Sequence, residues 1–373
     1  MKIALVHDFL TKMGGAENVL YKFHELYPDA PIYTLLYDEK GTKGVFKECN
    51  IVTSSLQKLP RFLRRPRFLF SRLAAAIEEF DFSGFDVVIS SSNAFAHGVI
   101  TPPSTFHLSY CHSPMRYVWD WHSEYLKENN ITFNLKGLYV RALIHQIRIW
   151  DRLSADRVDC FVANSENVRK RIQKYYREDS IVVYPPVETD AIQPSNKPPR
   201  DFYLIVSRLE PYKNIRLAVE AFNQLGKELI VIGEGSELAS LKEIAKDNVK
   251  LLGWQPNDKV TEHLMNAKAF IFAGEDDFGI TPVESMAAGR PVIALRRGGV
   301  METVVDGKTG LFFDQPTIDS LTEAVNRLEE KYSDFKVETC RDQAEKFSCS
   351  SFKKNFQTTL LLQYKKYGEK FLK

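Results

Sequence analysis

Arg208 and Lys213 stand five residues apart in Ser207-Arg208-Leu209-Glu210-Pro211-Tyr212-Lys213-Asn214, directly after the apolar run Tyr203 to Val206. A planar guanidinium fork and an ammonium point charge so placed suit a diphosphate between a nucleoside and a sugar, two cations standing in for a metal. A solvated loop is the plain alternative in a chain with 50 basic residues. The segment from Gly274 to Pro291 carries more information. Pro282 near the start and Gly289 at the end mark a helix, with Glu284 expected in its first turn. The backbone amides around Phe278, Gly279, Ile280 and Thr281 then face the helix entrance, where they can hold sugar hydroxyls or phosphate oxygens. Glu275, Asp276 and Asp277 could instead gather a hard cation, but no further metal-binding constellation accompanies them.

Three other places could bear chemistry. Gly14 and Gly15 sit between a first strand and a first helix, where they allow close approach of backbone amides to an anion; their spacing is not GxGxxG, which lowers a dinucleotide reading. Gly233-Glu234-Gly235 and Gly253-Trp254 follow successive apolar runs and leave room for a flat ring, although tight turns need glycine regardless. His112 ends another run; a histidine there is more often a satisfied structural residue.

These residues need strand ends to position them, and the chain supplies them in a regular order. The strand candidates of the first half are Ile3 to Val6, Val87 to Ser90, His107 to Cys111, Phe161 to Ala163 and Ile181 to Tyr184. Those of the second half are Tyr203 to Val206, Leu229 to Ile232, Val249 to Leu252, Phe270 to Phe272, Pro291 to Leu295 and Leu311-Phe312. Helix-period segments intervene; Val19, Leu20, Phe23 and Leu26 share one face after Gly15. Alternating βα units force right-handed crossovers and parallel sheets, so the expected fold is α/β with two doubly wound Rossmann-like domains facing an interdomain cleft. The prolines between Tyr184 and Pro199 predict a linker over 185–200, separating domains at 1–184 and 201–350; a charged helix over 351–373 would dock on the first domain.

Composition agrees with this. At one domain per ~150 residues, 373 residues suggest two domains. A hydrophobic fraction of 44% with 26% charged residues excludes disordered and collagenous chains. Fifty basic against 48 acidic residues leave no global field for nucleic acid. Five cysteines without a CxxC fit a reducing compartment, the first apolar run is too short for a signal peptide, and no run reaches the ~20 residues of a spanning helix. A cytoplasmic protein is expected. Residues 58–73 hold six cations and no acid, interleaved with Phe and Leu, a mixture that suits anionic lipid headgroups and predicts peripheral membrane contact. A solvated helix face or an RNA-binding arm is the alternative.

Taken together, the segment from Asp276 to Glu284 with Phe278-Gly279 between them resembles the signature of retaining GT-B glycosyltransferases of family 4, an acid, seven residues, then Glu. GGAE, Tyr110-Cys111-His112-Ser113-Pro114-Met115-Arg116-Tyr117, Asn164-Ser165, the Arg208/Lys213 pair and GEG agree in order and spacing over roughly residues 1 to 340. The resemblance implies that Arg208 and Lys213 grip the donor diphosphate and that Glu284 accepts from the nucleoside ribose. The amides from Phe278 to Thr281 would orient the sugar, His112 would face it from the first domain, and Gly14 and Gly15 would lie near diphosphate and acceptor. Gly233, Glu234 and Trp254 would border the nucleoside. It implies no required metal or other cofactor. One departure is Asp276 where Glu is usual, a side chain shorter by one bond of ~1.5 Å, for which Glu275 could substitute.

The His112-to-Tyr117 and Asp277-to-Pro282 stretches are similar to mannosyltransferases of O-antigen synthesis, which implies GDP-mannose as donor. Membrane contact in turn implies a polyprenyl-diphosphate-linked saccharide acceptor on the cytoplasmic face of the inner membrane. Two other readings stand beside it: a catalytically silent nucleotide-sugar-binding subunit, and a sugar-nucleotide epimerase of similar architecture.

Overall fold

Two all-parallel sheets organise the chain, each in its own unit. The computed structural model describes residues 1–64, 69–128, 131–132, 134–195 and 198–371. One unit comprises Met1–Tyr184 with Lys353–Lys373, the other Pro185–Phe352.

The first unit's sheet contains β1 (Ile3–Leu10), β2 (Ile32–Tyr37), β3 (Ile51–Thr53), β4 (Val87–Ser92), β5 (Phe106–Cys111), β6 (Cys160–Ala163) and β7 (Ser180–Val182). Their spatial order is β3-β2-β1-β4-β5-β6-β7, so the order reverses between β1 and β4. Such a reversal opens a crevice at the carboxyl ends of the two strands. β1 runs four residues beyond the expected Val6, through His7 and Asp8. Both are buried and satisfied: the Asp8 carboxylate accepts backbone N–H groups of Asn93, Ala94, Phe95 and Ala96 at 2.6 to 3.1 Å, so polar residues can continue a central strand. β2 and β3 were not among the expected strands. Ile32–Tyr37 is a β-branched and aromatic run closed by Pro31 and Asp38, a legible signal, whereas β3 has only three half-buried residues and no pattern to read.

The second sheet contains β8 (Phe202–Val206), β9 (Glu228–Ile232), β10 (Val249–Gly253), β11 (Ala269–Phe272), β12 (Val292–Leu295) and β13 (Gly310–Phe313), in the order β10-β9-β8-β11-β12-β13. Its reversal lies between β8 and β11, which pair in parallel. Helices Ile215–Leu225 and Ile318–Glu330 pack Val219, Phe222, Val325 and Leu328 onto Tyr203, Leu229 and Ile293 of this sheet. Each such side chain taken from water stabilises the unit by about 1.5–3 kcal/mol.

Part of the expected linker belongs to the second unit. Prolines 185 and 186 prevent regular pairing, yet Val187 and Ile192 are buried, the Val187 amide donates to Phe347 O at 2.9 Å, and Thr189 Oγ1 donates to Glu345 at 3.2 Å. Helix Cys349–Phe371 carries Phe356 against Phe23, ring centroids 4.4 Å apart, and Tyr367 against Phe106 at 5.2 Å, all within the first unit.

Candidate functional site

The crevice between β8 and β11 gathers Arg208, Lys213, Asp276 and the start of the helix that carries Glu284. After β8, the Ser207 amide bonds Ile232 O and the Leu209 amide bonds Glu234 O, so this loop lies along the one after β9. Gly233, at φ +142°, and Gly235 are required by that contact: a Cβ on either would come within 1.8 Å of Ser207 O or 2.2 Å of Leu209 O. Their role is close packing of two loops. The turn Pro211–Lys213 and the left-handed Asn214 then deliver Lys213 to the start of helix Ile215–Leu225.

From the other side, the loop after β11 closes on Lys213. Gly274 is so near that a Cβ there would stand 2.8 Å from Lys213 Cα. The Lys213 ammonium is paired with both carboxylate oxygens of Asp276 and lies 5.3 Å from the Tyr212 ring centre and 6.0 Å from that of Phe272. Arg208 is exposed, donates to the Tyr212 hydroxyl, and has its guanidinium 5.9 Å from the same ring. Tyr212 therefore holds both expected cations, a role not weighed in the sequence, where an aromatic between two cations was the available signal.

Helix Ile280–Ala287 begins at Gly279, whose φ of +87° turns the chain into the helix. Its first-turn amides have no intrahelical acceptor and complete the anion-favouring end of the crevice. Phe278 is buried, its ring 5.5 Å from that of Phe347, so the side chain anchors the loop. Glu284 is fifth in the helix and opens its second turn, not the first as expected, because the helix starts at Ile280, two residues before Pro282. Although Glu284 keeps some surface, burial pushes its pKa up to about 7. None of the described residues hydrogen-bonds its carboxyl, and burial alone accounts for the shift. Glu275 is exposed, and it is Asp276 that reaches Lys213. Among the described residues no group of three or more His, Cys, Asp or Glu side chains could hold a metal ion.

The loop after β12 was missed. Gly298, at φ +70°, and Gly299 lie directly under the signature: a Cβ would meet Asp276 O at 2.4 Å and Asp277 O at 2.2 Å respectively, and the Gly299 amide donates to Asp276 O at 2.9 Å. A glycine pair after an apolar run was the signal. Glu234 and Trp254 are exposed and follow β9 and β10, one and two strands along from β8, so they are not at the switch point.

In the first unit, Gly14 caps helix Gly15–Leu26 in an extended conformation, and a Cβ on it would lie 2.9 Å from Glu17 Oε2. His112 follows β5 and joins this corner through buried groups: its Nε2 is 2.8 Å from Ser91 Oγ, which is 3.1 Å from His7 Nδ1, and His7 Nε2 lies 3.7 Å from Glu17 Oε1. His7 Nδ1 is also 3.0 Å from the Ser91 carbonyl, which only accepts, so that nitrogen carries a proton. The Ser91 hydroxyl therefore accepts from His7 Nδ1 and also bonds His112 Nε2. Burial, with His7 nearby, pushes the His112 pKa down to about 3, so the ring is neutral. Asn164 Nδ2 donates to His112 O at 3.0 Å, which accounts for Asn164-Ser165.

Beside this corner, Thr11, Tyr37, Asp38, Lys40, Gln57 and Arg61 border an open cavity of about 510 Å³ at the ends of β1 and β2. Of the basic segment 58–73, Phe62 is exposed, Leu69 is buried and Phe70 packs 5.6 Å from Tyr117; residues 65–68 lie outside the described residues.

Residues 13–191 match the model "Glycosyltransferase Family 4" and residues 187–347 match "Glycosyl transferases group 1". The chain belongs to family 4 of the GT-B glycosyltransferases. This family 4 chain is 33% identical over 171 residues to the alpha-1,3/1,6-mannosyltransferase of Dictyostelium discoideum, an alignment spanning 38% of this chain and 40% of that one. It is also 33% identical over 147 residues to the GDP-mannose-dependent alpha-(1-6)-phosphatidylinositol monomannoside mannosyltransferase of Mycolicibacterium smegmatis, spanning 35% and 38% of the two chains. These alignments therefore cover less than half of either relative. Anabaena HepE, solved in complex with UDP, superposes with a TM-score of 0.70 at 17% identity over 96% of this chain and 99% of that one, which shows a shared GT-B fold. No helix among the described residues of the family 4 chain is long and apolar enough to cross a membrane.

Proposed function

We propose that this protein is a retaining α-mannosyltransferase that moves mannose from GDP-mannose to a polyprenyl-diphosphate-linked saccharide in surface polysaccharide assembly, on the cytoplasmic face of the inner membrane. The observation that carries the reading is the meeting of Lys213, Arg208 and Tyr212 with the helix entrance at Gly279 and the unpartnered carboxyl of Glu284, all at one strand-order reversal. Cations and helix amides take a diphosphate; the carboxyl takes a ribose diol at the distance of a neighbouring helical turn. Two relatives are named mannosyltransferases, and one is named for GDP-mannose and a phosphatidylinositol-linked acceptor.

In this reading the bond from mannose C1 to the diphosphate oxygen breaks and a bond from C1 to an acceptor hydroxyl oxygen forms on the same face. The departing diphosphate oxygen receives the acceptor proton, and GDP leaves. Lys213, Arg208 and the amides of Phe278 to Thr281 stabilise charge as it grows on the leaving group. His112, neutral, faces a sugar hydroxyl with its ring. The cavity bordered by Lys40, Gln57 and Arg61 receives the acceptor, and segment 58–73 meets the membrane.

The pairing of Asp276 with Lys213 favours one other reading, a subunit that binds nucleotide-sugar without transferring it. Purified protein supplied with GDP-mannose and a polyprenyl-diphosphate disaccharide separates them. Transfer with retained anomeric configuration, read by mass spectrometry and NMR, supports the enzyme; GDP binding with neither transfer nor slow hydrolysis supports the silent subunit.

A further inference from the structure

Helix Leu135–Ala155 is built with two apolar faces. One faces the core through Ile144, Ile147 and Ala155, with Val140 and Leu143 half-buried beside them. The other is open: Leu135, Leu138, Tyr139, Ile149 and Leu153 are 88, 50, 62, 48 and 59% exposed. At 100° per residue these five fall within about 60° of a single line along the helix, a stripe about 27 Å long at 1.5 Å per residue. Ala142 continues the stripe and Gln146 alone interrupts it. Scattered exposed leucines need no explanation, but five large apolar side chains aligned on one helix do.

The charges on this helix are of one sign at the surface. It carries Lys136, Arg141, Arg148 and Arg152, while its single acid, Asp151, is fully buried under Trp119 and Tyr176. Lys136 borders the stripe on one side and Arg152, paired with Asp156 just beyond the helix end, on the other. A second copy docked on the stripe about a two-fold axis would set this cationic helix against itself. An anionic bilayer surface complements it instead: apolar side chains enter the acyl boundary while cations meet phosphates, in the manner of a helix lying in the interface plane.

We infer that helix Leu135–Ala155 seats the protein on a lipid surface bearing anionic headgroups, through the exposed stripe Leu135, Leu138, Tyr139, Ile149 and Leu153. The inference rests on the lipid-linked acceptor for its purpose, but the contact itself needs no substrate and involves residues other than segment 58–73. It would hold the first unit's strand ends near an acceptor whose lipid stays in the membrane.

Flotation of the full-length protein with vesicles of phosphatidylcholine, with and without phosphatidylglycerol, tests it, next to Leu138→Glu/Ile149→Glu/Leu153→Glu and Arg61→Glu/Arg64→Glu variants. All five positions face solvent or the open cavity, and thermal melts of each variant check folding. The expected result is flotation of wild type only with phosphatidylglycerol and a loss of more than about tenfold in vesicle affinity for the triple variant. Flotation of the triple variant equal to wild type overturns the inference, as does complete loss from the arginine pair alone. Sedimentation showing a wild-type dimer that the triple variant dissociates also overturns it, in favour of a second copy. Calorimetry with GDP, which needs no lipid, reports separately on the proposed activity's donor site.

Discussion

The Lys213 ammonium rests between the two carboxylate oxygens of Asp276, so the cation expected to hold a diphosphate already has an anionic partner. In the proposed function an incoming diphosphate would have to share Lys213 with Asp276 or displace that carboxylate. Asp276→Asn keeps the shape and removes the competitor. Isothermal calorimetry should show GDP binding tightened by about three- to tenfold, the worth of roughly 1 kcal/mol for a partly buried pair. Transfer to acceptor should fall in the same variant if Asp276 turns from Lys213 to the sugar during reaction.

Removing the cations has the opposite sign. Lys213→Ala and Arg208→Ala should each weaken GDP binding by about 1.5–3 kcal/mol, the range for charge-assisted contacts. Tyr212→Leu keeps both charges but takes away the ring and hydroxyl that hold them. It should weaken binding by less than either cation, and guanosine without phosphates should bind all three variants like wild type.

If Glu284 binds the ribose as proposed, nucleotide binding should depend on pH. With its pKa raised to about 7 by burial, the carboxyl is mostly protonated a unit below that value and mostly ionised a unit above it. The ionised form accepts hydrogen bonds from both ribose hydroxyls, whereas the neutral form accepts and donates, so binding favours loss of the proton. Affinity for GDP should rise about tenfold from about pH 6 to about pH 8, with binding near pH 7 releasing a proton to the buffer, a dependence that Glu284→Gln abolishes.

Gly299→Ala probes the loop beneath the signature. Its backbone is ordinary, so the effect is spatial: the new methyl would lie 2.2 Å from Asp277 O and 2.5 Å from Phe278 Cα, and that segment must move. A positioning error at the helix entrance should lower turnover by about a hundredfold while the melting temperature falls by only a few degrees. Equal loss of both would make the glycine a folding requirement alone.

Much of this arrangement was legible because chemistry and topology coincide. Apolar runs followed by Gly, Ser or charged residues mark strand ends, and the run from Asp276 to Glu284 sits after one of them. What escaped was of two kinds. β1 was cut short at His7 because a polar pair looks like a strand end, and only the four amides converging on Asp8 from residues 93 to 96 show why it is not. Ser91, His7 and Glu17 act on His112 across 21 to 105 positions of sequence, a coupling that parallel pairing creates and no local spacing encodes. Tyr212 and the Gly298-Gly299 pair were within reach, since each lies beside residues already singled out for position.

The helix from Cys349 to Phe371 has a bearing on how the molecule can be divided. Because Phe356 fills space beside Phe23 and Tyr110, and Lys353 pairs with Glu25 at 2.8 Å, the amino-terminal lobe is assembled from two stretches separated by 168 residues of the other lobe, Pro185 to Phe352. Cutting the polypeptide at Tyr184 would leave a hole in that lobe's aromatic cluster, while splicing residue 184 to residue 353 through a short spacer would keep the cluster whole. Ribosomal synthesis delivers the closing helix last, so the lobe made first cannot finish folding until the intervening one has emerged.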